Sequence, residues 1–126
     1  NGYTIAKKIA SILKEISPAR ILLSELSINK KNPGDGNIRL SVPLDKPEGK
    51  TVILIDDVLD SGRTLFYALQ PFCSADTRKI RIATLVNRSH RRFPVVPDFT
   101  GMALSTTLQE RVEVEISPEG ISAFLL

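Results

Sequence analysis

Apolar residues recur along this chain with two periods, and the places where the period changes mark its elements. Ile5, Ile9, Ile12, Leu13 and Ile16 return every three or four positions, which predicts an amphipathic helix over 3–16. Ser17-Pro18 stops it. Ile21, Leu22, Leu23, Leu26 and Ile28 predict a strand over 20–28. Residues 29–37 place Pro33, Gly34 and Gly36 among three charges and read as a mobile loop. The segment 39–44 alternates like an exposed hairpin strand, and 45–49 reads as a second turn. The unbroken run Val52-Ile53-Leu54-Ile55 predicts a strand buried on both faces, as in a parallel sheet. Leu65, Ala68, Leu69 and Phe72 share one face of a helix reaching about residue 75. A buried strand over 80–86, a long basic loop over 87–97 and a short strand over 99–104 follow. Residues 112–116 and 121–125 are expected to finish the sheet. Strand, helix, strand order implies parallel crossovers and an α/β fold.

The chemistry concentrates in Thr51-Val-Ile-Leu-Ile-Asp-Asp-Val-Leu-Asp-Ser-Gly-Arg-Thr64. An apolar strand runs into two adjacent carboxylates, Asp56 and Asp57. The short loop Asp60-Ser61-Gly62-Arg63-Thr64 then opens a helix. Ligands of open parallel sheets sit at the carboxyl ends of the strands, and helix N-termini attract phosphate through free N–H groups and the dipole. One turn thus offers a phosphate cradle beside two acidic hydrogen-bond acceptors, the pairing that a phosphorylated sugar needs. Turn chemistry alone would account for Ser61 and Gly62, but not for two carboxylates abutting a buried apolar strand.

Composition narrows the field. With 126 residues the chain makes a single domain, 1–126, with apolar content for one core. A net charge of +3 suits an anionic ligand and permits RNA without demanding either. A single cysteine, Cys73, leaves no disulfide framework or cysteine-rich zinc site, which fits a reducing cytoplasm. No apolar run reaches membrane-spanning length. There is no Gly-x-x-x-x-Gly-Lys-Ser/Thr loop, so a P-loop nucleotide hydrolase is excluded. A phospho-acceptor receiver domain would end another apolar strand in an isolated Asp, and none does.

The acidic doublet and its loop resemble the phosphoribosyl pyrophosphate (PRPP) binding signature of type I phosphoribosyltransferases: apolar strand, two acids, two apolar residues, a Ser/Thr-Gly loop and a closing Thr. Further along, Leu85-Val-Asn-Arg-Ser-His-Arg-Arg-Phe-Pro94, Asp98-Phe-Thr-Gly101 and Ser105-Thr-Thr-Leu-Gln-Glu-Arg-Val112 are similar to the second half of the PyrR branch, which joins uracil phosphoribosyltransferase activity to pyrimidine-responsive RNA binding. Asn1-Gly2-Tyr3-Thr-Ile-Ala-Lys-Lys-Ile-Ala10 is similar to the helix after that family's pyrophosphate loop. The resemblance implies a parallel-sheet fold with a flexible hood or hairpin. The family's first helix and first strand have no counterpart, and the chain opens without Met, so an N-terminally truncated domain is expected.

The resemblance implies displacement of pyrophosphate from C1 of PRPP by a ring nitrogen of a nucleobase, in nucleotide salvage. Asp56 and Asp57 would hold the ribose hydroxyls. Asp60, Ser61, Gly62, Arg63 and Thr64 would wrap the 5′-phosphate, and Gly2 and Arg88 would approach the pyrophosphate. Lys30 and Lys31 are further candidates there, although a solvated loop explains both lysines. Mg²⁺ would be bound mainly through PRPP and water, with no metal site of the protein's own. Asn87 and Phe99 would meet the base. Relatives of the uracil type carry an aromatic at position 60, whereas hypoxanthine-guanine enzymes carry an Asp that takes the purine proton. Those enzymes also use a Lys where this chain has Asn87. Uracil is placed ahead of a 6-oxopurine. Binding of RNA through His90, Arg91 and Arg92 is the competing reading, although two basic positions of RNA-binding members appear here as Val96 and Met102. A non-catalytic nucleotide-binding module is a third. A homo-oligomer is expected from the family.

Overall fold

The computed structural model describes residues 1–42 and 48–126. Its centre is a three-stranded sheet of β3 (Thr51–Leu59), β4 (Lys79–Asn87) and β5 (Phe99–Ala103), in that order and all parallel. The helix α1 (Gly2–Ile16) lies against β3 on one face. On the other face, α2 (Arg63–Ala68) and α3 (Gln70–Cys73) carry the chain from β3 to β4. The buried cluster Leu54, Leu59, Leu65, Phe72, Ile82 and Val95 fills the space under α2 and α3. Parallel strands joined through a helix bring their carboxyl ends to one edge, so the Asp56–Thr64 stretch opens where such sheets bind ligands.

Several expected elements change form. The single helix after β3 is two short ones, because Pro71 lacks the N–H that would continue the ladder past Leu69. The strand expected over 20–28 shrinks to β1 (Leu26–Ser27), paired antiparallel with β2 (Arg39–Leu40). Serine hydroxyls take over the ladder just before it: Glu25 N–H donates to Ser41 Oγ at 2.9 Å and Val42 N–H to Ser24 Oγ at 3.2 Å. Of the strand expected over 39–44, Ser41 and Val42 form a bend instead, and residues 43–44, with most of the turn expected over 45–49, lie outside the described residues.

The expected loop 29–37 is a folded turn. A 3₁₀ turn, Pro33–Asp35, buries Pro33, and Asn29 Oδ1 accepts the N–H groups of Lys31 and Asn32. Residues 112–116 and 121–125 do not join the sheet. They form a separate antiparallel hairpin, β6 (Val112–Ser117) and β7 (Gly120–Leu125), closed over Pro118-Glu119. Inward Val112, Val114 and Ile116 alternate with outward Glu113 and Glu115, so the hairpin has one apolar face to bury. Asn1 Nδ2 donates to the Val114 carbonyl at 2.9 Å and fastens the hairpin to the start of α1. Nor is β3 buried on both faces along its whole length, for Ile53 is exposed.

Candidate functional site

Asp56 and Asp57 interrupt the apolar run of β3 two residues before its carboxyl end. Each carboxylate accepts the N–H of the next residue: Asp56 Oδ1 from Asp57 at 2.9 Å, and Asp57 Oδ1 from Val58 at 2.8 Å. Burial pushes the Asp56 carboxyl up to about 6, the neighbouring Asp57 charge adds to the rise, and the Lys30 charge opposes it. Lys30 of the folded 29–37 turn is therefore within electrostatic reach of the doublet. The start of α1 closes the other side. A Cβ on Gly2 would lie 2.9 Å from the Ile55 carbonyl oxygen and 3.3 Å from Asp56 Oδ1, so only glycine lets the helix N-terminus approach this closely. The positive end of that helix favours an anion beside Asp56.

The loop that follows is set by Gly62, whose φ of 84° lies in the left-handed region. A Cβ there would also press on Val95 Cβ at 3.3 Å. Arg92 and Phe93 N–H both donate to the Ser61 carbonyl, at 2.9 and 3.1 Å, and Ser61 Oγ accepts the Arg63 N–H at 3.2 Å. Among the described residues the N–H groups of Gly62, Thr64 and Leu65 have no partner. They are the donors a phosphate would meet. Arg63 is exposed and Thr64 half-buried at the same mouth.

Arg88, expected among the PRPP ligands, is placed otherwise. Its guanidinium is buried and donates to Thr106 Oγ1 at 2.6 Å, to the carbonyls of Thr107 and Glu110, and to Asp60 Oδ2 at 3.4 Å. Asp60 is half exposed and also faces His90 Nδ1 at 3.7 Å. Asn87 and Phe99 are not brought together. Asn87 pairs with Ala103 and Phe99 with Ala83, four positions earlier on β4, a separation of about 13 Å along the strand. Phe99 instead lines an apolar cavity of about 250 Å³ with Ile5 and Ile9 of α1, Ile55 and Leu85.

Thr84 was not singled out from the sequence. It pairs with Asp56 across the sheet, and its buried hydroxyl has no hydrogen-bond partner. The signal was a polar residue at an inward position of Ile80, Ile82, Thr84, Val86. The partnership of Asp60 with Arg88 and His90 spans 28 and 30 residues and left no local trace. Among the described residues, no three His, Cys, Asp or Glu side chains are grouped to hold a metal ion, and no helix is long and apolar enough to cross a membrane.

Comparison with known proteins identifies the family and the fold. The phosphoribosyl transferase domain family matches residues 1–114. The bifunctional protein PyrR of Streptomyces coelicolor is 33% identical over 94% of this chain and 65% of its own length. PyrR of Corynebacterium diphtheriae is 35% identical over 99% of this chain and 70% of its own. The chain thus spans about two thirds of the length of these relatives. A hypoxanthine phosphoribosyltransferase from Staphylococcus aureus shares the fold with a TM-score of 0.62 at 18% identity, covering 82% of this chain and 58% of that one. The Trypanosoma cruzi enzyme, solved with its product IMP, gives 0.59 at 17% identity, covering 87% and 57%. With an acidic doublet near the carboxyl end of a parallel strand, a left-handed glycine opening the next helix and a family match over most of its length, this chain belongs to the phosphoribosyl transferase domain family.

Proposed function

We propose that the chain binds PRPP at the Asp56–Thr64 edge and transfers its phosphoribosyl group to a nucleobase, releasing pyrophosphate. The observation that carries this reading is the adjacency of the Asp56-Asp57 doublet to the unpartnered N–H groups of Gly62, Thr64 and Leu65. In this reading the carboxylates accept hydrogen bonds from the ribose hydroxyls while the loop and the Ser61 and Thr64 hydroxyls seat the 5′-phosphate. A ring nitrogen of the base forms the new bond to C1 as the C1–O bond to pyrophosphate breaks. Positive charge develops on the sugar, and the fixed carboxylates stabilise it with little reorganisation. The two like charges at Asp56 and Asp57, one already pushed towards protonation, fit a site that takes up a cation together with the diphosphate. Mg²⁺, held mainly by PRPP and water, would neutralise the leaving group.

Uracil is the favoured base, because the relatives of highest identity named above are PyrR proteins. Asp60 supports the second reading, a 6-oxopurine. RNA binding by exposed Arg91 and Arg92, with His90, is the regulatory alternative. A homo-oligomer in the cytoplasm completes the proposal. Steady-state turnover of PRPP·Mg²⁺ with uracil, hypoxanthine and guanine tests it. Asp57→Asn should lower kcat/KM by about a hundredfold or more through loss of charge stabilisation. Turnover with none of the three bases, together with no calorimetric binding of PRPP, would remove the reading.

A further inference from the structure

Resting on the transfer reading above, we propose that Arg88 is a positioning residue, which holds the phosphate loop in register with the 106–110 segment by gripping Asp60. Four of the five guanidinium N–H groups are taken by the protein itself: Nε–H by Thr106 Oγ1, two on Nη2 by the carbonyls of Thr107 and Glu110, and one on Nη1 by Asp60 Oδ2. A fork so occupied, with its side chain 11% exposed, has little left to offer a diphosphate. It does join three segments that are far apart in sequence: the phosphate loop, the end of β4 and the stretch after β5.

His90 adds a second tie from the 88–90 segment to the stretch after β5. Its Nε2 lies 2.8 Å from the Thr106 carbonyl oxygen, which can only accept, so that nitrogen carries the proton. Its Nδ1 lies 3.7 Å from Asp60 Oδ1, too far for a hydrogen bond, and forms an ion pair with it only when the ring carries both protons; the other oxygen is the one that Arg88 takes. Each Asp60 oxygen thus faces a nitrogen of the 88–90 segment. Two residues further on, Arg92 and Phe93 N–H hold the Ser61 carbonyl, and Val95 closes on Gly62. On the backbone, Arg88 N–H donates to the Leu59 carbonyl at 2.9 Å, and Leu104 N–H to the Asn87 carbonyl at 2.8 Å, so the anchor points of all three segments are themselves fixed. An exposed carboxylate at the head of a loop ordinarily samples several rotamers. Here the loop inherits the rigidity of a buried guanidinium. Lysine at position 88 would keep the charge but lose the planar fork.

The test uses the whole chain with Arg88→Lys, Asp60→Asn, the double variant and Thr106→Val, whose side chain reaches Arg88 but is not among the partners of the phosphate loop. Amide hydrogen exchange at 62–65 and 106–110 is followed by mass spectrometry, and affinities for PRPP·Mg²⁺ and for ribose 5-phosphate by calorimetry. Arg88→Lys should speed exchange in both segments and weaken both ligands by about tenfold, with KM for PRPP rising more than kcat falls. The double variant should match Arg88→Lys at 62–65, and Thr106→Val should speed exchange there from a distance. Loss of PRPP affinity with ribose 5-phosphate affinity and exchange unchanged would mark a direct diphosphate ligand and overturn the proposal. Additive effects of Asp60→Asn and Arg88→Lys, or no change at 62–65 in Thr106→Val, would overturn it as well. If the wild-type chain binds neither sugar phosphate, the transfer reading fails, and the exchange data alone still decide whether Arg88 ties the two segments.

Discussion

The two faces of the β3–β4–β5 sheet are covered unequally. Under α2 and α3, Leu54, Leu59, Leu65, Phe72, Ile82 and Val95 close into a continuous buried cluster, with Leu59 and Val95 almost wholly out of solvent. Under α1 only Ile5 and Ala10 of the helix are buried. Ile12, Ile16, Ile53 and Phe99 meet solvent, and the cavity beside Ile9 remains open. The packed face lies behind the 60–64 loop, whereas the open face meets the acidic doublet only at the start of α1, where Gly2 abuts Asp56. Close packing resists displacement because side chains have few alternative arrangements. In the proposed reading the loop presents several N–H groups to one anion and would gain from such support, since Gly62 rests directly on Val95 of that cluster.

Deleting core volume is the strongest way to separate the faces. Leu59→Ala should cost about 4 kcal/mol in chemical denaturation, whereas Ile12→Ser on the other face should stay within about 0.5 kcal/mol. Equal losses would mean that the faces contribute alike.

Asp56 sharpens the comparison, because it is the least favourably placed charge beside the packed face. Its folded-state value of about 6 exceeds the reference 3.8, so the folded chain retains a proton that the unfolded chain has already released. The penalty is absent below about pH 4, grows between about pH 4 and 6, and is complete above that. Asp56→Asn should therefore stabilise the chain at pH 7.5 by something on the order of 3 kcal/mol, a gain that fades on acidification towards pH 4. Thermal melts across that range provide the check. A gain independent of pH would place the cause elsewhere. The same substitution should weaken PRPP binding, the usual opposition between a strained site and stability.

The smallest effect concerns Thr84. Its buried hydroxyl lacks a partner, so Thr84→Val removes an unsatisfied polar group while keeping the shape. It should raise stability by about 1 kcal/mol, read from denaturant midpoints. A loss would show that the hydroxyl is satisfied by water or by Asp56.

Hydrophobic rhythm alone located α1, β3, β4 and β5 within a few residues, because each buries a face whose period is written locally. The doublet and its Ser-Gly loop were equally legible, since a strand end, a turn and a helix start are consecutive in the chain. Rhythm failed where the partner was distant. Val112, Val114 and Ile116 announced a strand but not which neighbour it would choose, and the tight turn over Pro118-Glu119 made a private hairpin the nearest solution. Ile21, Leu22 and Leu23 looked like a strand, yet serine side chains supplied the next hydrogen bonds.

Residue types and their local spacing determined the α/β class and the succession of acidic doublet, Ser-Gly loop and helix start at the end of β3. Only the folded chain decided that Arg88 serves Asp60, that Phe99 lies apart from Asn87, and that Thr84 sits beside Asp56. Register and crossover bring those residues together, and register depends on the packing of the whole sheet, which no local stretch encodes.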